Sequence, residues 1–358
     1  MKTFKDLQVW QRGINLVKTC SILLSLLILI VSCSNYPTDN SGRDLSELES
    51  VWQYLKTYSI WQNNVPGGPF EYGSPEEMMA AIHDTLNAIP YTEYYSGFHS
   101  AYSPMPTVSF DSLTDSTALI RIFQFSEDDS STYFQFLDIM PRITRFSKII
   151  IDLIDNRGGG IAVTDAIINA ILPIHTPYIM EMYRKYDYYS RTASTVQWDT
   201  IKTIGRQETS LRNKRYAVLT NHWSASASEI LIAALKDGFP ASKGDTVVLV
   251  GETSYGKGIG QIIVNRFLLN RRDLKITFMR MKGISARVGD YFRKGIPPDT
   301  LVPVDGQDTF HKAQINAALK FLQPSAHVDN NRAFSKQSQP AHQFPPEAVI
   351  VASTKNEL

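Results

Sequence analysis

The sequence predicts an α/β fold built on a mostly parallel β-sheet. Apolar, β-branched runs alternate with segments of helical periodicity from about residue 117 to residue 323, and this alternation is typical of such sheets. Two runs, KIIIDLI at residues 148–154 and YAVLTN at residues 216–221, are almost wholly apolar, as central strands covered on both faces are. The 358 residues, 43% of them hydrophobic, are enough to form a large core.

The individual elements follow from local periodicity. Residues 47–64 and 75–89 place apolar side chains at helical spacing, the second after the helix-start pattern Ser74-x-x-Glu77, so residues 47–105 are expected to form a small helical region. The expected strands of the following region are TALIRIFQF, KIIIDLI, YAVLTN, TVVLVGE, QIIVNRFLL and LKITFMRM. Its expected helices are STYFQFLDIMPRI, VTDAIINAILP, the segment after the serines at 224–228, and HKAQINAALKFLQ.

The amino-terminal segment has the features of a secretory signal. Basic residues precede the apolar run SILLSLLILIVS at residues 21–32, which is shorter than the about 20 residues that a membrane-spanning helix needs. A small residue directly before Cys33 resembles a bacterial lipoprotein signal. The resemblance implies that residues 1–33 form this signal and that a lipid is attached to Cys33, which would anchor the protein in the bacterial cell envelope, on its periplasmic or surface face. An uncleaved membrane anchor is the alternative.

Composition adds expectations about the ends of the chain and about partners. Residues 34–46 are polar, as a tether would be, and residues 324–358 are rich in Ser, Gln, Asn and Pro, which predicts a disordered tail. Cys20 and Cys33 are the only cysteines, so no thiol nucleophile or cysteine metal site is expected in the mature chain. The formal net charge of +1 gives no electrostatic reason to expect a nucleic-acid partner.

Three serines, Ser224, Ser226 and Ser228, stand on alternate positions between a predicted strand and a predicted helix. A serine at the start of a helix can be an N-cap, which stabilises the helix by about 1 kcal/mol. It can also be a nucleophile, because unpaired N–H groups of the first helical turn can hold the oxyanion of an acyl intermediate. The local sequence leaves both interpretations open.

A serine nucleophile needs a general base, and two residue types are candidates. His222 is close in the sequence, but no carboxylate is expected to orient it, and the other histidines lack motif context. Lys257 lies in the glycine-rich run GETSYGKGIGQ, and burial beside a sheet would favour the neutral amine that can accept a proton. A phosphate-binding loop is disfavoured because Gly258 follows Lys257 where a Ser or Thr is required. A surface lysine in a turn is the remaining alternative.

The run IDLIDNRGGG at residues 151–160 ends a predicted strand with three glycines. Consecutive glycines at the carboxyl end of a strand allow a backbone N–H to face a ligand. Asp152 and Asp155 are potential metal ligands. A metal site is disfavoured because no His lies nearby and Arg157 does.

Together these segments resemble the C-terminal processing proteases, also called tail-specific proteases, which are serine peptidase family 41. The family motif D-L-R-x-N-x-G-G corresponds to residues 152–159, S-A-S-A-S-E to residues 224–229, and G-K-G-x-x-Q to residues 256–261. A further strand, LKITFMRM, and the motif G-I-x-P-D at residues 295–299 follow in family order. The resemblance implies a crotonase/ClpP-like serine peptidase core with a mostly parallel sheet and flanking helices over residues 106–323.

The resemblance also implies the catalytic side chains. Ser226 matches the nucleophile, Lys257 the general base, and Gln261 the group that orients the lysine. Glu229 matches a family position to which the sequence assigns no role. No metal and no other cofactor is expected.

The oxyanion hole of the family corresponds here to backbone groups. They are the N–H of Ala227 and one N–H from either Gly158 or Gly159. Ser224 and Ser228 are then left with turn and packing roles.

Two departures from the family pattern bear on function. Ile154 replaces the usual Arg, so the glycine loop must be supported differently. Many members carry a PDZ domain between the helical region and the core, where this chain has only the segment YSPMPTVSFDSLTDS. That segment is too short for a domain, so the module that captures substrate tails by strand addition is expected to be missing.

The expected function is that of a serine endopeptidase of the envelope, with a Ser/Lys dyad assisted by Gln, that cleaves unfolded or tail-exposed proteins. Its expected partners are protein or peptide substrates and the membrane that holds the lipid anchor. No nucleic-acid partner is expected, and the oligomeric state is not predicted. A catalytically inactive peptide-binding lipoprotein on the same fold is one alternative, and a hydrolase of another acyl substrate is a second.

Overall fold

The structure is a computed structural model that describes most of residues 47–322. The predicted signal with Cys33, the tether and the tail lie outside the described residues. The segments within 47–322 that are also left out are residues 70, 73, 83–84, 87–88, 97–105, 127–131, 188–191, 196, 205–210, 212–213, 240–246 and 265–271.

Helices and strands alternate as predicted over residues 117–171, whereas several strands follow one another without an α-helix elsewhere in the described chain. The α-helices are α1 Glu47–Tyr58, α2 Pro75–Ile82, α3 Thr132–Ile143, α4 Ile161–Ile171, α5 Ala227–Gly238 and α6 Lys312–Leu322. The strands are β1 Thr85–Leu86, β2 Ile89–Pro90, β3 Glu93–Ser96, β4 Val108–Thr114, β5 Thr117–Ile122, β6 Lys148–Asp152, β7 Pro177–Asp187, β8 Thr192–Thr195, β9 Asp199–Lys202, β10 Arg215–Thr220, β11 Val247–Gly251, β12 Ile259–Val264, β13 Arg272–Lys282 and β14 Thr300–Leu301. None of these helices is long and apolar enough to cross a bilayer.

The first sheet has six strands in the order β14-β11-β10-β6-β5-β4. Neighbouring strands are parallel throughout, except for the antiparallel pair β4 and β5. This confirms the predicted, mostly parallel sheet. Its central strands β6, β10 and β11 are almost entirely buried, because helices cover both faces.

The helices divide between the two faces of this sheet. Helices α3, α4 and α5 belong to the larger core, to which they contribute Phe136, Ile167 and Leu231. Helix α6 covers the opposite face, where Ile315 and Leu319 pack in a separate cluster. Helix α5 is buried at every residue except Asp237, because it packs on β7 of a second sheet as well as in the core of the first.

The second sheet is antiparallel. It has the order β12-β13-β7-β8, with β3 beside β13 and β9 beside β7. The sequence predicts β12 and β13 as strands but neither their antiparallel pairing nor the strands β7 to β9. The pairing has a simple cause: residues 265–271 are too few for the crossover that parallel neighbours require, so the two strands form a hairpin.

Residues 47–96 pack on this second sheet. Leu55 of α1 shares a buried cluster with Leu274 and Ile276 of β13, and β3 pairs with the same strand. The region expected to be helical therefore also supplies a strand. Residues 97–107 alone separate β3 from β4, which leaves no room there for a PDZ domain.

Candidate active site

Ser226 lies where β10 ends and α5 begins, and it is buried, with 2% of its surface exposed. It occupies the N-cap position with φ 56° and ψ −119°, whereas ordinary N-cap residues have extended torsions. A non-glycine residue held in such a conformation costs about 1–3 kcal/mol. A serine on a strained strand-to-helix turn is also the arrangement of a nucleophile elbow, while Ser226 and Glu229 form a capping box, so the nucleophile remains a prediction beside the capping role.

Ser224 and Ser228, on either side of Ser226, link this turn by side-chain hydrogen bonds to the glycine-containing loop that follows β6. Ser224 Oγ donates a hydrogen bond to the carbonyl of Leu153 at 2.8 Å. Ser228 Oγ donates to the carbonyl of Asn156 at 2.9 Å, and the N–H of Ala225 donates to the same carbonyl at 3.0 Å. The serines on either side of Ser226 therefore have the structural roles expected of them.

The glycine loop touches the serine directly. Gly158 has φ 107°, and a side chain there would come within 2.7 Å of Ser226 Cβ and 3.0 Å of the backbone nitrogen of Ala227. The N–H of Gly158 is already used, since it donates to Asn156 Oδ1 at 2.9 Å. Among the described residues, the N–H groups of Gly159 and Ala227 have no acceptor, so these two are available to an oxyanion.

The support of the glycine loop differs from the family pattern, as the replacement of Arg by Ile154 implies. Ile154 is buried in the cluster beneath α6. Asn156, which the family motif also carries, holds the loop through its Nδ2, which donates to the carbonyl of Ile122 at 2.7 Å. Asp155 also takes part, because its N–H and its Oδ1 form two hydrogen bonds with the side chain of Asn221 at 3.0 and 2.7 Å.

Lys257 lies in the loop between β11 and β12, and it is 5% exposed. Gly256, with φ 86°, lets this loop pack closely on the fourth motif segment, since a side chain there would come within 2.6 Å of the backbone nitrogen of Gly295. Because Lys257 is buried, it is not a surface lysine in a turn, and that alternative is wrong.

Gln261 is fully buried near the start of β12. Its Nε2 donates to the carbonyl of Tyr91, and its Oε1 has no hydrogen-bond donor among the described residues. Buried acceptors without a donor are uncommon, and this oxygen is suited to orient an amine. The expected action of Gln261 on Lys257 stays a prediction.

Glu229 connects the serine turn with the lysine loop, a role that the sequence does not reveal. This buried carboxylate accepts hydrogen bonds through Oε1 from Ser254 Oγ and from the N–H of Gly256, both at 2.6 Å. Its Oε2 accepts from the N–H of Lys257 at 2.8 Å and from the N–H of Ser226 at 3.1 Å. The backbone nitrogens of Ser226 and Lys257 therefore lie no farther apart than these last two distances combined.

The electrostatic environment of Glu229 reflects two opposed effects. Burial raises the pKa of its carboxyl group, and the hydrogen bonds it accepts lower that pKa. One signal for its role was present in the sequence: Ser226 and Glu229 have the Ser-x-x-Glu spacing of a capping box, in which the carboxylate binds the N-cap N–H. The donors from residues 254–257 lie too far along the chain for such a local pattern to show.

Two other candidate side chains, those of His222 and Asp152, have partners away from Ser226. The expectation that His222 lacks a carboxylate partner is wrong, because Glu252 Oε2 lies 3.2 Å from its Nδ1. This pair is at the surface, and no hydrogen bond joins His222 to Ser226 in the described part of the chain. Asp152, weighed as a metal ligand, contacts His311 Nδ1 at 2.7 Å and Arg121 Nε at 3.1 Å.

One family model of known proteins matches the part of the chain that contains the site. Residues 116–302 match the family model described as peptidase family S41, and this span contains all four motif segments. No curated protein matches the chain.

Two solved structures share the fold. A candidate S41 protease from Bacteroides fragilis is 13% identical with a TM-score of 0.56, over 82% of this chain and 100% of that one. A lipoprotein from Streptococcus agalactiae is 15% identical with a TM-score of 0.52, over 78% and 96% of the two chains. These matches confirm the fold that the motifs imply.

Proposed function

The chain belongs to peptidase family S41, and from this we propose that it is a serine endopeptidase that uses Ser226 and Lys257 to cleave unfolded or tail-exposed proteins at the bacterial cell envelope. The observation that carries the proposal is the joint attachment of the N–H groups of Ser226 and Lys257 to one oxygen of Glu229. Because their backbone N–H groups share one acceptor, a strained, buried serine and a buried lysine from separate loops lie close in the backbone, which supports the proposed dyad.

The reaction begins when the amine of Lys257 takes the proton of the Ser226 hydroxyl. The serine oxygen attacks the carbonyl carbon of the substrate, and the resulting oxyanion is held by the N–H groups of Ala227 and Gly159. Such donors contribute roughly 3–4 kcal/mol each to transition-state stabilisation in a well-studied serine protease. Lys257 then returns the proton to the leaving amine, and Gln261 keeps the lysine in position.

The second half of the reaction repeats the proton transfers with water. Lys257 takes a proton from a water molecule, which attacks the acyl group on Ser226. The proton returns to the serine oxygen as the carboxylic acid product leaves. These steps use only side chains and backbone groups of this chain.

The location at the envelope rests on the amino-terminal sequence. The apolar run before Cys33 and the small residue that precedes it support lipid attachment at that cysteine. A neighbouring fold is that of a streptococcal lipoprotein, which fits the same interpretation.

The decisive assay is hydrolysis of an unfolded, casein-like protein by purified variants. Ser226→Ala and Lys257→Ala are each expected to abolish cleavage while the thermal unfolding midpoint stays close to that of the wild type. Matched controls are Ser112→Ala, at an exposed position of β4, and Lys294→Ala, an exposed lysine beside residues 252–258. These residues carry Lys257 and are called the base loop below. Both controls should cleave normally. Unchanged cleavage in Ser226→Ala or Lys257→Ala would refute the dyad, whereas a wild-type protein that binds the substrate without cleaving it would favour the inactive peptide-binding alternative.

A further inference from the structure

Arg157 is placed beside the candidate active site in an unusual way. Its guanidinium carbon lies 4.0 Å from the centre of the Trp223 ring, and its side chain is about half buried. Arg157 directly precedes Gly158, which lies against Ser226, and Trp223 is three residues before that serine. The stacked pair therefore borders the two segments that hold the nucleophile and the oxyanion donors.

The third segment of the site also reaches this cation. Tyr255, two residues before Lys257, is close enough to raise the pKa of Arg157. The N–H of Tyr255 donates to the carbonyl of Ser224 at 3.0 Å. The guanidinium is thus bordered by the glycine loop, the serine turn and the base loop. A group bound there would therefore lie beside the three segments that form the candidate site.

No carboxylate of the described residues forms an ion pair with Arg157. Asp155 is the acidic neighbour that affects it, yet Asp155 Oδ1 already accepts from Asn221 Nδ2 at 2.7 Å. Burial lowers the pKa of Arg157, and Asp155 and Tyr255 raise it. A guanidinium nevertheless stays protonated throughout the physiological range, so a partly desolvated positive charge stands beside the site, and no carboxylate in the described part of the chain is ion-paired with it.

We propose that Arg157, stacked on Trp223, is a subsite that binds a carboxylate of the substrate, either an acidic side chain or the free carboxyl terminus. A guanidinium presents two parallel N–H groups that match a carboxylate, and the indole face restricts its orientation. This subsite would supply anion recognition in a chain without room for a PDZ domain between β3 and β4. The inference rests on the proposed function, because it names the class of peptide that the site prefers.

The test measures peptide binding, which does not require turnover. The protein is the full chain with Ser226→Ala, and the probes are fluorescent peptides of one neutral sequence. One peptide is amidated and uncharged, one is amidated with a single Glu, and one has no charged side chain but a free carboxyl terminus. At least one carboxylate peptide is expected to bind about tenfold or more tightly than the uncharged one, and the amidated pair shows whether a side chain or the terminus is recognised.

Variants test whether Arg157 causes the preference for carboxylate peptides. Adding Arg157→Gln is expected to bring the affinity ratio close to one, and Arg157→Glu is expected to favour a Lys-containing peptide instead. The matched control is Arg142→Gln, which removes another stacked arginine, 4.3 Å from the Phe110 ring, and should keep the preference. Thermal unfolding of each variant checks that it is folded.

Three results would overturn the subsite: equal affinity for all peptides, no binding of any, or a preference that survives Arg157→Gln. Failure of the proposed function is seen separately, in the same peptides incubated with the protein that retains Ser226. Preferential binding without cleavage would keep the subsite and reject the endopeptidase.

Discussion

Ser226 shows at the scale of one residue how the surroundings impose a reactive geometry. Its φ of 56° is unfavourable for serine, so other contacts must hold it there. The carboxylate of Glu229 accepts from its N–H, and the backbone of Gly158 occupies the space beside its Cβ. The strained conformation therefore depends on contacts from outside the serine turn as well as within it.

Gly158→Ala tests this dependence. A methyl group at Gly158 would lie 2.7 Å from Ser226 Cβ, and the backbone there has φ 107°, so the serine must move. A displacement of about 1 Å in an active site can reduce the rate about 10²-fold, and we expect a loss of kcat/KM of that order in peptide hydrolysis.

Gly289→Ala is the matched control. This glycine also has positive φ, 63°, but nothing lies within 4 Å of the place where its side chain would be. The substitution should lower stability slightly and leave kcat/KM near the wild-type value. Equal losses of kcat/KM in the two variants would show that strain alone, and not contact with Ser226, explains the effect.

Helix α5 acts as the organising element of the site. Its first turn places Glu229 so that one carboxylate receives the N–H groups of the serine turn and of the base loop. The helix is buried between the two sheets, which fixes its position firmly. Precise placement of Ser226 and Lys257 thus follows from the packing of a helix rather than from the loops themselves.

Glu229→Gln should weaken this connection. An amide keeps one acceptor oxygen but turns an NH₂ group toward backbone N–H donors, and each buried donor left unpaired costs about 1–3 kcal/mol. We expect urea denaturation to show a stability loss of about 2 kcal/mol or more, with a parallel fall in kcat/KM. The control is Glu76→Gln, at an exposed position of α2. A destabilised Glu229→Gln that cleaves with wild-type kcat/KM would contradict the positioning role.

The sequence predicts some secondary-structure elements and does not reveal others. The strand-to-helix turn at Ser226 could be predicted, because an apolar run and an amphipathic helix flank it. Strand β7 could not, since polar and charged residues such as Glu181 and Arg184 interrupt its apolar pattern. Those side chains are accommodated by the tertiary packing, which local periodicity does not describe.

At the scale of the whole molecule, the two sheets and the amino-terminal region meet around the site. Tyr91, just before β3, provides the carbonyl that receives Gln261 Nε2, and β3 itself pairs with β13. The region that precedes the peptidase core in the sequence therefore supports the residue proposed to orient Lys257. The motifs locate the proposed catalytic residues, but only the tertiary structure shows this contribution.

Two half-buried carboxyl groups, those of Asp165 and Glu181, give the global stability a defined pH dependence. Burial raises the pKa of Asp165 to about 6, against the hydrogen bond from Tyr178. Burial, with Asp165 and Asp199 nearby, raises the pKa of Glu181 to about 7. The folded protein keeps protons that the unfolded chain releases, so these groups make stability fall as pH rises through this range.

We therefore expect the free energy of unfolding in urea to decrease between about pH 5 and about pH 8. Glu181→Gln carries no charge at either pH, so its decrease should be smaller than that of the wild type, and the exposed Glu76→Gln should behave like the wild type. An equally steep decrease in Glu181→Gln would show that Glu181 does not retain its proton in the folded protein.

The central claim is that Lys257 activates Ser226, and covalent labelling tests it most directly. The full chain is treated with a serine-directed phosphonate probe, and the adduct is located and timed by mass spectrometry. We predict a single adduct on Ser226, formed at least about 10²-fold more slowly in Lys257→Ala, as expected on loss of a general base. An adduct on another residue, or an equal labelling rate without the lysine, would contradict the account.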